Sequence, residues 1–263
     1  MLKIFYIAAA IYLILLLLLF IFQRSMIYFP SPDAQRLISR HPEFSPIEIV
    51  SHDGLVIKSW KSIGYPDKKT FILFHGNAGN AADRMPMMRV LIAAGHSVIL
   101  AEYRGYGSNP GKPNENDIMS DNKILVDKII AGGVAEQDII FMGRSLGSGI
   151  ATQLATEYDT AALILISAYS SLPDVAGDIY PYFPVSLLMR DRFDSLSIIS
   201  GVKAPIYMFH GERDQIIPIK FGRKLFEAAL GDKRFRSIPL HGHNDLNMDH
   251  INSEILELLK KIS

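Results

Sequence analysis

The sequence predicts an α/β domain on a mainly parallel central sheet of about eight strands flanked by helices, with a membrane-spanning helix ahead of it. Three observations predict this. Strand-like apolar runs alternate with stretches of helical period from Thr70 to the C-terminus, the pattern of successive βαβ units. Ile4 to Phe22 is apolar without interruption. Gly143-Arg144-Ser145-Leu146-Gly147 sets a serine between an apolar strand and a helix, with a glycine two residues away on either side.

The N-terminal run comes first. As a helix it is about 28 Å long, close to the hydrocarbon thickness of a bilayer. A core helix would show a polar face, and this run has none. A cleaved leader would end in a small-x-small site, whereas Gln23-Arg24-Ser25-Met26 follows here. Residues 1–24 are therefore expected to be an uncleaved single-pass anchor, in a membrane of the bacterial inner type. Lys3 and the α-amino group lie on one side of it and Arg24, Arg36 and Arg40 on the other, which leaves the orientation open. Residues 25–43 read as a tether, with Tyr28-Phe29-Pro30-Ser31-Pro32 at its start.

Residues 44–263 read as one catalytic domain. Phe44 to Val50 and Leu55 to Ile63 flank the turn signal His52-Asp53-Gly54. Further strands are expected at Thr70–Phe74, Ser97–Glu102, Asp138–Met142, Ala162–Ser167, Pro205–His210 and Arg234–Pro239. Helices are expected at Ala81–Ala94, Asn116–Ala131, Leu146–Tyr158, Ile219–Leu230 and Asp249–Lys261, the last with Ile251, Ile255, Leu258 and Ile262 on one stripe. One connection is longer than the topology needs. It carries Tyr180-Pro181-Tyr182-Phe183-Pro184 and reads as a short lid at about 172–200.

Composition narrows the chemistry. Lysine plus arginine equals aspartate plus glutamate, 27 each, so no basic excess exists for a nucleic-acid partner. The chain has no cysteine, which excludes disulfides, thiol catalysis and thiolate metal sites.

A serine at a strand-to-helix turn is a nucleophile elbow. The tight turn lifts the hydroxyl off the sheet, and the helix directs N–H groups and partial positive charge at the reacting centre. Such a serine needs an acid and a histidine later in the chain, at successive strand ends. Asp214 follows the strand Pro205–His210 in Gly211-Glu212-Arg213-Asp214, with Glu212, Asp194 and Asp191 as other acids nearby. His243 follows the last strand in His241-Gly242-His243. It is preferred to His241 because extra chain is needed to bring the imidazole back over the elbow. Oxyanion donors are expected at the N–H of Leu146 and, in the glycine-bearing loop His75-Gly76-Asn77-Ala78-Gly79-Asn80, at the N–H of Asn77. That loop lacks the lysine and spacing of a phosphate cradle. His241-x-His243-x-Asp245 superficially matches a binuclear zinc motif, but Leu246 stands where a histidine should follow. No metal or organic cofactor is expected.

These motifs, with Tyr103-Arg104-Gly105-Tyr106-Gly107 and His243-Asn244-Asp245, resemble the α/β-hydrolase superfamily. The nearer likeness is to small membrane-anchored serine hydrolases related to the eukaryotic protein depalmitoylases. The resemblance implies nucleophile Ser145, acid Asp214 and base His243, as the residues themselves suggest. Relatives usually carry aspartate where this chain has Glu102, a position whose role looks structural, as do Tyr103 and Arg104.

The expected function is hydrolysis of carboxylic esters or thioesters through an acyl-enzyme, on a small-molecule or acylated substrate, lipidic acyl chains among the candidates. A peptidase or aminopeptidase of the same fold and a catalytically silent tethered module are the alternatives. Met85, Met87 and Met88, just after the oxyanion loop, and Tyr182 and Phe183 of the lid are candidates to line an acyl pocket, although helix packing equally accounts for the methionines.

Overall fold

The computed structural model describes residues 1–31 and 38–260. The middle of the tether, Arg36 and Ile262 lie outside the described residues. Helix α1 runs Leu2–Ile27 and β1 is Phe29–Pro30. The chain then forms β2 (Ser45–Val50), β3 (Val56–Ser62), β4 (Thr70–Phe74) and the short β5 (Ala78–Gly79). Next come α2 (Arg89–Ala93), β6 (Ser97–Ala101), α3 (Glu115–Ala131), β7 (Ile139–Arg144) and α4 (Leu146–Glu157). After β8 (Ala162–Ile166) the segment expected as a lid holds α5 (Leu172–Ile179), α6 (Val185–Leu188) and α7 (Ser195–Ile198). The domain closes with β9 (Ile206–Gly211), α8 (Ile219–Ala228), β10 (Lys233–Ile238) and α9 (Met248–Leu259).

Eight strands form one sheet in the order β10-β9-β8-β7-β4-β6-β3-β2. From β10 to β6 every pairing is parallel; β3 and β2 join antiparallel at one edge. The central strands β4 and β8 are buried along their whole length, as continuous apolar runs must be when helices cover both faces. Successive residues of β4 feed opposite cores. Ile72 and Phe74 pack with Val126, Ile150 and Leu225, while Phe71 and Leu73 pack with Met88, Leu91 and Ile255. The period-2 alternation of a strand thus builds two cores from one sequence run.

One expected helix differs. Ala81–Ala94 is a 3₁₀ segment, Ala82–Met88, followed by the five-residue α2. Pro86 lies inside it, and a ring without an N–H cannot continue an α-helical ladder.

Helix α1 extends further than the apolar run alone suggests. Its 26 residues give a helix about 39 Å long, with a mean hydropathy of 3.0 in its most apolar window and none of that window buried. It is long and apolar enough to cross a membrane. The chain just beyond it is not a free tether, because β1 pairs in parallel with β5, Phe29 against Ala78 and Pro30 against Gly79.

Candidate active site

Strand β7 ends at Arg144 and α4 begins at Leu146, so Ser145 alone makes the turn, at φ +53° and ψ −122°. Its N–H is held by the Ile166 carbonyl at 2.9 Å. The flanking glycines are steric necessities. A Cβ at Gly147 would stand 2.0 Å from the Phe74 carbonyl oxygen, and one at Gly143 would stand 2.5 Å from the Gly147 oxygen.

Asp214 and His243 reach this serine from the ends of β9 and β10. His243 Nε2 lies 3.0 Å from Ser145 Oγ, and His243 Nδ1 lies 2.7 Å from Asp214 Oδ2. An ionised carboxylate only accepts, so Nδ1–H donates to Asp214 and leaves Nε2 to accept from the Ser145 hydroxyl. Asp214 is fully provided for. Its Oδ1 accepts from the Ile216 and Ile217 N–H groups at 2.9 and 2.8 Å, and His210 Nε2 lies 3.4 Å from Oδ2. Burial favours its neutral form, yet the bonds from His210, His243 and Ile217 outweigh burial and hold the carboxyl well below the usual carboxylate range.

The neighbouring candidates serve other ends. His241 Nδ1 lies 2.8 Å from the Pro239 carbonyl, and Asp245 accepts from the Gly242 N–H at 2.6 Å, shaping the loop that presents His243. Asp194 caps α7 through the Ser197 N–H, and Glu212 is exposed. Arg144 donates to the His243 carbonyl at 3.0 Å. Burial, together with the charge of Arg84, pushes its guanidinium down to about 10, so it stays protonated at neutral pH.

Leu146 and Asn77 flank Ser145 in the same cavity. The loop carrying Asn77 is braced from below. His75 Nε2 lies 2.9 Å from Glu102 Oε1 with both side chains buried. Glu102 also accepts from the Ala81 N–H at 2.8 Å, Tyr103 Oη–H donates to the His75 carbonyl, and Tyr106 Oη–H donates to the Asn77 carbonyl. Glu102 and Tyr103 therefore hold the loop to the sheet. Arg104 instead ties Asp121, Asp117 and Asp53 together away from the serine.

A cavity of about 320 Å³ opens beside Ser145. Leu146, Tyr169 and the lid residues Leu172, Val175 and Phe183 line it. Met85 and Met88 do not. The 3₁₀ segment turns both into the core on the other face of the sheet, with Leu91 and Ile251. Tyr182 is 86% exposed and lies outside the cavity. Leu19, Gln23, Met26 and Ile27 of α1 line the cavity too, a contribution the sequence does not predict.

Comparison with known proteins fixes the family. The family model described as "Serine aminopeptidase, S33", a hydrolase model, matches residues 65–198. An uncharacterised Mycobacterium tuberculosis protein is 33% identical over 235 residues, 85% of this chain and 81% of that protein. The chain belongs to the α/β-hydrolase superfamily. Within it, the lysophosphatidylserine lipase ABHD12 of Mus musculus is 29% identical over 215 residues, 73% of this chain and 54% of that one. A Pyrococcus furiosus esterase superposes with a TM-score of 0.67 at 18% identity, covering 83% of this α/β hydrolase and 90% of the esterase.

Proposed function

We propose that this α/β hydrolase is a membrane-anchored serine hydrolase that cleaves carboxylic esters or thioesters through an acyl-enzyme. The observation that carries the proposal is the line Ser145–His243–Asp214, closed at 3.0 and 2.7 Å beside an apolar cavity. His243 takes the hydroxyl proton as Ser145 Oγ attacks the acyl carbon. The tetrahedral oxyanion is met by the N–H groups of Leu146 and Asn77, and each such donor is worth about 10²–10³ in rate. As the intermediate collapses, His243 gives its proton to the departing alcohol or thiol. Water, deprotonated by His243, then releases the acid and restores Ser145. The step needs neither metal nor organic cofactor.

The family description makes aminopeptidase action the second reading. An aminopeptidase must hold a free α-ammonium group, and among the described residues none lining this cavity is an acid; Gln23 and Asn77 are the polar side chains there beside the serine and tyrosines. That favours an acyl chain over a charged peptide end.

Labelling with a fluorophosphonate probe tests the reaction class. Wild type is expected to label and Ser145→Ala is not; equal labelling of both overturns the proposal. p-Nitrophenyl esters of graded length, run against aminoacyl-β-naphthylamides, then divide esterase from aminopeptidase.

A further inference from the structure

The anchor helix is docked on the lid along its own length. Tyr12, Leu19, Gln23 and Met26 fall at helical spacings on one face of α1. Near the domain the contacts are polar. Gln23 donates to the Leu188 carbonyl at 3.2 Å and accepts from the Arg190 N–H at 2.7 Å. Arg24 grips Asp191 with two bonds of 3.0 Å, and Tyr28 Oη–H donates to the same carboxylate at 3.0 Å. Asn77, the proposed second oxyanion donor, gives its side-chain amide to the Ile27 carbonyl at 2.8 Å.

Deeper along the helix the contact changes character. The Tyr12 ring stacks on Phe183 at 6.0 Å, and its hydroxyl donates to the Tyr182 carbonyl at 2.9 Å. Tyr12 lies about 16 Å along the axis from Gln23. Gln23 and Arg24 are the first polar residues after the apolar run, so the hydrocarbon boundary falls near them. The lid tip therefore lies at hydrocarbon depth when α1 spans the membrane. Its chemistry suits that depth. Ile179, Tyr182 and Leu187 are 55, 86 and 84% exposed, an outward apolar surface. Several backbone donors there are absent or paired: Pro181 and Pro184 have no N–H, and Phe183 and Val185 bond to the Tyr180 and Phe183 carbonyls. Exposed backbone polar groups are what hydrocarbon forbids.

We propose that α1 and the lid together form a port within one leaflet, through which the acyl chain of a membrane lipid enters sideways and reaches Ser145 without crossing water. Leu19 and Met26 then belong to the substrate-binding site, so the anchor sets chain-length specificity as well as location. The cavity, at the small end of the ligand-pocket range, suits one acyl chain. The fate of the bound chain rests on the proposed hydrolase function; its path does not.

The test uses the full chain in phosphatidylcholine nanodiscs. Labelling rates are compared for a hexadecyl and a short-chain alkyl fluorophosphonate. Leu19→Trp and Met26→Trp are expected to lower the long-to-short ratio by about tenfold or more, and Phe5→Trp, in the distal part of the helix, is expected to leave it unchanged. A ratio unaltered in both port variants overturns the proposal. A second measurement is independent of catalysis and of the variants' folding. Ser145→Ala in phosphatidylcholine vesicles is irradiated with a diazirine-bearing palmitoyl chain. Adducts on the peptides containing Leu19–Ile27 and Phe183 support the port, and adducts confined to the distal half of the helix overturn it. If no fluorophosphonate labels even wild type while those adducts form, the hydrolase reading fails and the port stands.

Discussion

His243 Nδ1 and Asp214 Oδ2 are 2.7 Å apart, and the aspartate side chain is closed off from solvent. Such a carboxylate fixes the imidazole tautomer. Asp214→Asn is expected to keep the fold and lower kcat by about 10⁴-fold, measured on a p-nitrophenyl ester. A loss below tenfold would assign the orienting role elsewhere.

The same carboxylate predicts a pH dependence of stability. Its folded pKa lies below its unfolded value, so the unfolded chain binds the extra proton in acid. The stabilisation is complete above the ordinary aspartate pKa and drains away as pH falls towards the folded one. The Tm difference between wild type and Asp214→Asn should therefore shrink from about pH 5 downward. Melting curves that run parallel through that range would contradict it.

Glu102 is expected to act on catalysis through the loop it braces. Glu102→Ala strips a buried histidine and the Ala81 N–H of their partner, at about 1–3 kcal/mol of stability for each group left unpaired. Glu102→Gln keeps the shape and an acceptor, and should restore most of the stability. Thermal melts of the pair check this; identical losses would place the cost in volume alone.

Gly147→Ala should abolish the native elbow, since its new carbon has no room beside Phe74. The expected result is insoluble or unlabelled protein. Soluble protein that labels at the wild-type rate would show that the turn can open by more than the packing suggests.

Arg24→Ala leaves the Asp191 carboxylate, 3% exposed, with Tyr28 as its remaining side-chain partner. Because Arg24 is itself partly exposed, the cost should stay local, about 1–3 kcal/mol, and should appear as faster proteolysis of the Leu172–Gly201 stretch. Unchanged cleavage of that stretch would mean the anchor does not steady the lid.

What was legible in the sequence follows from what is local. Strands β4 and β8 announced themselves because full burial demands unbroken apolar runs, and Ser145, Asp214 and His243 stood out because strand-end loops carry chemistry in a fixed order. The family resemblance strengthened those assignments. Met85 and Met88 could not be placed, because Pro86 changes the helical phase and with it the direction of each side chain. The anchor's share in the cavity was hidden for another reason. A run that is apolar all round shows no docked face, and only Gln23, with Tyr12 and Leu19 on the same stripe, hinted at one. Leu188 and Arg190, which bond Gln23, and Asp191, which bonds Arg24, lie more than 160 residues away, a separation that local pattern does not bridge.

The bond from the Asn77 side chain to the Ile27 carbonyl bears on how this protein should be handled. Cutting the chain after Ile27 to obtain a soluble fragment would remove the helix to which Asn77 is tethered, take Arg24 away from Asp191 and strip Leu19, Gln23, Met26 and Ile27 from the cavity lining. On the proposed function, a fragment of that kind is expected to keep Ser145 reactive towards small esters while misreporting which acyl chains the full chain prefers. Selectivity profiles are best taken with the helix in a bilayer.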